Sequence, residues 1–445
     1  IDTRTLHERQ VFFAIAGERF DGHDYLMQAV HAGASGLVVH ASRVQGAIDA
    51  AALNPGNVFI VAVEDPIQAL GETASSWATV LGPIVVGVTG SVGKTTSKEM
   101  IAAVLRRAFD VHATSGNFNN HLGLPLTLLQ MLPRHEVLVA EMGMSARGEI
   151  AHLCRIAHPR IGVVTTVAPV HVEHLGSIEA IAQAKAELVE ALPSHGVAVL
   201  NADDPRVAAM ASRSLARVTT YGWAESADVR IVDVALGPDG CPKVQLLVDG
   251  VPVGMRLSMV GGHFALNAAA AVACGRALGV DPVAAAEALA TVPPGKHRMD
   301  VVSAGTLRIL DDCYNASPLS LTAALRTLAD LPAAGRRVAV LGDMLELGVV
   351  SDEAHRNAGI EAAGTGVDCL IAVGRNAGLV RDGAVSAGLS SSGVFTAPDA
   401  IAAATLLIAI AKPRDTVLVK GSRGVGLEHV VEAVRARFGG HEAGN

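Results

Sequence analysis

Gly87-Val-Thr-Gly-Ser-Val-Gly-Lys-Thr-Thr96 is the stretch on which the fold turns. The residues leading into it, 84–88, are Ile-Val-Val-Gly-Val, the pattern of a strand buried on both faces of a parallel sheet. The residues after it read as a helix. Glycines at 87, 90 and 93 let backbone N–H groups turn inward around a phosphate at the positive end of that helix, with Ser91, Val92 and Thr96 completing the cradle. In such a loop Lys94 reaches the β- and γ-phosphates of ATP and the Thr95 hydroxyl goes to Mg²⁺. The strict Walker spacing asks for Gly at 88, where this chain has Val88. The competing reading is a glycine-rich turn without a ligand.

Outward from the loop, strands recur at 137–140, 161–165 and 197–200 with helical stretches between them, which is the order of a doubly wound α/β core. Residues 216–260 read as β-hairpins on that core, with turns at 237–240 and 248–250; 267–278 and 281–290 read as helices. Before the loop, 11–16, 36–40 and 58–63 read as strands, 25–32 and 44–52 as helices, Gly33 as a helix C-cap and 66–79 as a linking helix. After 299 the strand–helix alternation restarts, with strands at 307–310, 338–341, 369–373 and 417–419. The expected architecture is α/β in three domains. A small N-terminal α/β domain covers 1–82, a central P-loop parallel-sheet ATPase domain 83–298, and a C-terminal Rossmann-like domain 299–445.

Bulk properties narrow the function. Half of the 445 residues are apolar, and aromatics are only 3%, so Val, Leu, Ile and Ala must fill the cores. The longest apolar run, 401–411, falls well short of the ~20 residues that a membrane-spanning helix needs. Residues 1–10 are polar and read as no signal peptide, and the missing initiator Met predicts absent upstream residues. Five scattered Cys without a Cys-x-x-Cys pair favour a reducing compartment, here the cytoplasm. A net charge of −8 without a basic run argues against a nucleic-acid partner. Only seven of the 35 basic residues are Lys. In a chain that uses Arg by default, each Lys marks a place where a compact, deprotonatable amine is useful.

Three residues beyond the loop fit metal chemistry. Glu141 ends the strand 137–140, where a P-loop protein places a Mg²⁺ ligand; a helix-capping acid is the alternative. His171, in the loop after 161–165, can bring imidazole to a second metal or be an ordinary loop histidine. Lys185 falls in the apolar stripe Ile178, Ile181, Leu188, Leu192 of a helix over 177–192. A buried amine there loses its proton readily and can react with CO₂ to give a carbamate, an anionic oxygen donor suited to Mg²⁺. On helix pattern alone, a lysine snorkelling at the helix edge is the favoured reading.

These segments together resemble the Mur ligases over nearly the whole chain. The resemblance rests on Asp21-Gly-His-Asp24, the glycine loop, Gly116-Asn-Phe-Asn-Asn120 with Gly123-Leu-Pro-Leu126, and Glu141-Met-Gly143. It continues through His171, Gly176-Ser177, Ala184-Lys185, Asn201-Ala-Asp-Asp-Pro205 and Asn267-Ala-Ala. It ends with Asp311-Asp-Cys-Tyr-Asn-Ala316, Leu341-Gly-Asp-Met-Leu-Glu-Leu-Gly348, His355 and Lys420-Gly-Ser-Arg423. The last group is similar to the branch that adds D-alanyl-D-alanine to UDP-N-acetylmuramoyl-tripeptide in peptidoglycan synthesis. What the resemblance implies is an ATP-dependent ligase working through an acyl phosphate, as a cytoplasmic monomer with no membrane span. Another Mur-type ligase, a folylpolyglutamate-type ligase and an inactive ATP-binding scaffold are the alternatives.

The resemblance also implies roles. Lys94, Lys185, His171 and Arg298 are catalytic. Thr95 and Glu141 hold one Mg²⁺, and His171 with carbamylated Lys185 hold a second. Asn267 meets the adenine, Arg298 the phosphates and Asp312 the ribose. Thr3, Arg4, Asp21 and His23 hold the UDP-sugar, and Asn119 and Asn120 line the peptide path. This chain departs from the family at Thr3 (usually Ser), Thr166 (Asn), Ala168 (Gly), His297 (Gly) and at Ser145-Ala146 (Asn and His).

Overall fold

The structure, a computed structural model, describes residues 1–170, 172–332 and 334–439. His171 therefore lies outside the described residues. The chain divides into two compact units: residues 1–83, 114–133 and 152–158 form one, and the remainder forms the other.

The first unit is built on three parallel strands, β1 (Val11–Phe13), β2 (Gly36–His40) and β3 (Phe59–Val63), in the order β1-β2-β3. Side chains alternate across the pleat. Phe12, Leu37 and Val39 face the helices Leu26–His31 and Val44–Ala51, meeting Leu26, Ala29, Val30, Ala47 and Ala50. Phe13 and Val38 point the other way, onto Leu70 and onto Leu122, Leu126 and Leu129. Those three leucines, on or beside the helix Gly123–Leu129, bring 114–133 into this unit although it is far from 1–83 in sequence. The expected strand 11–16 stops at Phe13, because the chain turns at Gly17–Phe20 and only Ala16 bridges onward, to Asp21. Gly33 takes the expected left-handed backbone (φ +92°) past its helix.

The second unit contains two sheets. The larger has nine strands: β4 (Ile84–Thr89), β5 (Val111–Ala113), β6 (Val137–Glu141), β7 (Ile161–Val164), β8 (Val197–Asn201), β9 (Arg217–Gly222), β10 (Val229–Leu236), β11 (Pro242–Val248) and β12 (Val251–Arg256). Their order is β12-β11-β10-β9-β8-β7-β4-β6-β5, with β4 through β9 parallel. β4 lies between β6 and β7, which follow it in opposite directions across the sheet. That is a switch point, where a crevice opens beyond the strands' carboxyl ends. The hairpins expected over 216–260 form as β10–β11 and β11–β12, and they extend this sheet rather than packing on it. The edge strand β5 has only three residues and gives no periodic signal.

The second sheet comprises β13 (Asp300–Ala304), β14 (Leu307–Asp312), β15 (Arg337–Gly342), β16 (Cys369–Val373), β17 (Val394–Ala397) and β18 (Thr416–Lys420). The order is β13-β14-β18-β15-β16-β17, parallel except for β13. β18 sits between β14 and β15, so Asp312 and Lys420 fall side by side at the carboxyl ends.

Candidate active site

The glycine loop occupies the switch point at the end of β4, as its sequence predicts. Gly93 caps the helix Lys94–Leu105 at φ +85°, and Gly90 sits at φ +146°. A Cβ at Gly90 would lie 1.8 Å from Thr165 Oγ1, and one at Gly93 would lie 2.7 Å from Asn267 Nδ2. Only glycine fits either place. Gly87 behaves differently. It lies within β4, registered opposite Gly162 of β7, and Cβ atoms there would meet Leu188 Cδ1 at 2.9 Å and Leu188 Cγ at 3.0 Å respectively. The two glycines make a groove that seats Leu188, and so they place the helix Ile178–Glu190 against the sheet.

The segment after β7 clamps the loop from one side. Thr165 Oγ1 donates to the Val92 carbonyl (2.6 Å), and Thr166 Oγ1 accepts from the Val92 N–H (3.2 Å). Ser91 Oγ donates to the Ala168 carbonyl (3.0 Å) and accepts from its N–H (2.9 Å). The segment is itself anchored: Asn201 Nδ2 donates to the Thr165 carbonyl (2.8 Å), and Asp204 accepts from the Val167 N–H (2.7 Å). Ala168 contributes only its backbone to this clamp. Thr165, Thr166, Asn201 and Asp204 were not singled out as site residues from sequence. The Asn201–Pro205 motif was the available signal for two of them.

The chemistry converges on Thr95. Its hydroxyl donates to Glu141 Oε2 (2.8 Å) and accepts from Arg298 Nη2 (3.1 Å). Glu141 is buried at the last position of β6. Lys94 Nζ donates to the Gly90 carbonyl (2.7 Å), curled over its own loop. Burial pushes the Lys94 amine below its ordinary value, Glu141 opposes that shift, and Arg298 adds to it. The Arg298 guanidinium also lies 4.1 Å over the ring of Tyr314, a cation–π contact that fixes its plane. Thr95 and Glu141 offer only oxygen donors, the set that suits Mg²⁺.

Lys185 is 2% exposed, in the buried stripe with Ile181 and Leu188. The amine does not snorkel to solvent. Desolvation pushes it well below its ordinary value, and the positive charge of Lys94 adds to the shift. Asn267 sits against the loop, its Nδ2 donating to Ser97 Oγ (2.9 Å) and to the Gly93 carbonyl (3.3 Å). Asp312 is ion-paired with Lys420 at 2.6 Å. Burial raises its carboxyl, opposed by Lys420 and Arg298.

In the first unit the structure shows local roles for the residues read as substrate contacts. Asp21 accepts from the His23 N–H (3.0 Å) and pairs with His23 Nδ1 (2.6 Å) and Arg43 (2.9 Å). His23 Nε2 accepts from the His40 N–H (3.0 Å), so the proton belongs on Nδ1. Asn120 Oδ1 caps the helix Gly123–Leu129 through the Leu122 and Gly123 N–H groups (3.2 and 2.9 Å). Arg4 pairs with Asp2 on the surface, and Thr3 is half-buried beside them.

Three family descriptions cover the chain: "Mur ligase family, catalytic domain" matches 1–78, "Mur ligase middle domain" 88–275, and "Mur ligase, glutamate ligase domain" 297–423. The UDP-N-acetylmuramoyl-tripeptide–D-alanyl-D-alanine ligase of Mycobacterium tuberculosis is 39% identical, with 98% of this chain and 91% of that protein covered. The Bacillus subtilis ligase of the same name is 36% identical, with 97% and 91% covered. A crystal structure of MurF from Acinetobacter baumannii superposes with a TM-score of 0.86 at 27% identity, covering 98% and 92%. MurF from Thermotoga maritima in complex with ADP gives 0.83 at 30%, covering 98% and 97%.

Proposed function

This chain belongs to the Mur ligase family, and from that premise we propose that it joins D-alanyl-D-alanine to UDP-N-acetylmuramoyl-tripeptide, cleaving ATP to ADP and phosphate. The observation that carries the reading is the Thr95 hydroxyl bonded to both Glu141 and Arg298 at the β4 switch point, with Lys94 folded over the adjoining glycine loop. Two ligases similar to it in sequence bear that activity in their names, and a MurF similar to it in structure holds ADP.

A carboxylate is a poor electrophile and needs a leaving group before an amine can displace it. The tripeptide's terminal carboxylate attacks the γ-phosphorus of ATP, and ADP leaves. The dipeptide's amine then attacks the acyl carbon, the carbon–oxygen bond to phosphate breaks, and an amide and inorganic phosphate remain. Lys94 would neutralise charge on the phosphates, and Arg298, bonded to Thr95, would stabilise the transferring group. Thr95 and Glu141 would hold Mg²⁺, which supplies further charge neutralisation when bound. Lys185, buried and poised to be neutral, is suited to carbamylation; with His171 it would hold a second ion. Asn267 and Asp312 would meet the nucleoside. Residues 1–82 would bind the UDP-sugar, 83–298 ATP, and 299–445 would complete the nucleotide site, with Asn119 and Asn120 along the peptide path. The site requires a cytoplasmic supply of ATP and of nucleotide-linked substrate.

Incubation of the protein with ATP, UDP-N-acetylmuramoyl-tripeptide and D-alanyl-D-alanine tests this directly. One phosphate should be released per pentapeptide product detected by mass. Phosphate release with single amino acids but none with the dipeptide would contradict it.

A further inference from the structure

Arg298 must reach Thr95 from the start of the second sheet, and the turn that carries it is unusual. His297 and Met299, on either side, both have left-handed backbones, φ +59° and +54°. Residues with side chains adopt that region rarely, and histidine is one of the few enriched there. The turn is pinned at three points. The Arg298 N–H donates to the Gly295 carbonyl (3.0 Å), the His297 carbonyl accepts from the Tyr314 N–H (3.1 Å), and His297 Nδ1 bonds Asp311 Oδ2 (2.8 Å).

Asp311 is a firm anchor. It is 3% exposed, on the paired strand β14, and its other oxygen accepts from Cys313 Sγ (3.0 Å). These hydrogen bonds engage both carboxylate oxygens, so the cluster is complete as it stands, although its three donor atoms lie within 4.8 Å of one another. Tyr314, whose N–H holds the His297 carbonyl, is also the residue whose ring lies 4.1 Å from the Arg298 guanidinium. Backbone and side chain of one residue thus brace both halves of the turn. The imidazole of His297 thus ties the turn to the sheet.

We propose that His297 is a positioning residue for Arg298, its imidazole anchoring on Asp311 the turn that holds the guanidinium against Thr95. The inference rests on the reading above in which Arg298 acts on the nucleotide phosphates. His297 itself touches no substrate; it restricts where Arg298 can go. Glycine at 297 relieves the left-handed backbone but frees the turn.

The test is a double-mutant cycle on the full chain with His297→Gly and Arg298→Ala, reading kcat and KM for ATP. Because coupled neighbours typically interact by ~1–2 kcal/mol, His297→Gly should lower kcat/KM for ATP by about tenfold, and by no more than about twofold in the Arg298→Ala background. His297→Asn, which tolerates the left-handed backbone and keeps a polar side chain toward Asp311, should recover part of the loss. It also serves as the working variant if the glycine form fails to fold. Equal losses in both backgrounds, or an unchanged kcat/KM in His297→Gly, would overturn the inference while leaving the ligase reading intact. A neutral Arg298→Ala would remove the inference together with its premise.

Discussion

Lys185 and Lys420 have the same side chain and the same 2% exposure, and the protein treats them in opposite ways. Lys420 ends β18 in the second sheet. There it meets Asp312 Oδ2 at 2.6 Å and the Asn315 carbonyl at 3.1 Å, so its charge is matched by a carboxylate and two of its protons are bonded. Lys185 lies on the helix seated against the first sheet. Among the described residues no carboxylate is in ion-pair contact with it, and its strongest named electrostatic neighbour is another cation, Lys94. A matched buried amine is a structural element. An unmatched one is driven toward its neutral, nucleophilic form, and keeping it in a core is an energetic cost that packing alone would have removed. The difference separates a lysine that builds a sheet end from a lysine available for chemistry.

The widest separation between the two should appear in activity. Lys185→Ala should lower ligation by about 10³-fold or more, the scale of removing a group that organises transition-state charge, and added short carboxylic acids should restore part of the rate. A Lys185→Ala enzyme with unchanged turnover would erase the distinction. Stability should move the other way. Lys420→Met removes the ion-pair partner of the largely buried Asp312 and should cost about 3–5 kcal/mol by denaturant unfolding. Lys185→Met should cost nothing or stabilise, and a comparable loss in both variants would mean that Lys185 also has a partner.

A subtler contrast is in pH dependence. The folded-state pKa of Lys185 lies below its unfolded value of 10.5, so in the window between the two the unfolded chain binds more protons. Stability should therefore rise with pH across that window in CO₂-free buffer, and Lys185→Met should lose that rise. An identical pH profile in the variant would place the amine in a solvated or paired setting. The smallest effect belongs to Asn267→Ala, which removes bonds to Ser97 and Gly93 and should raise KM for ATP by only a few-fold, roughly the worth of ~1 kcal/mol.

How much of this was legible in the sequence follows the range of the interactions. The loop was legible because strand, glycines, Lys94 and Thr95 are contiguous and their chemistry is local. Glu141 was legible as a strand terminus, whereas the burial of Lys185 was not: its place in an apolar stripe fits a snorkelling side chain better on pattern alone, and it is the packing of the helix that encloses the amine. Gly87 was assigned to the phosphate, whereas its visible work is to receive Leu188, and no local pattern distinguishes those uses of a glycine. The clamp from Thr165 and Thr166 was not legible, since threonines after a strand look like any turn. The packing of 114–133 onto 1–83 was equally hidden, because it is made by side chains distant in sequence. The short strands β5 and β17 carry too few residues for a period to show.

The most direct measurement is ¹³C NMR of the protein in ¹³C-bicarbonate. A buried amine shifted toward its neutral form should give a carbamate resonance that persists in Arg298→Ala and vanishes in Lys185→Ala. No carbamate signal in the unaltered protein, or one that survives Lys185→Ala, would contradict the role given to this lysine.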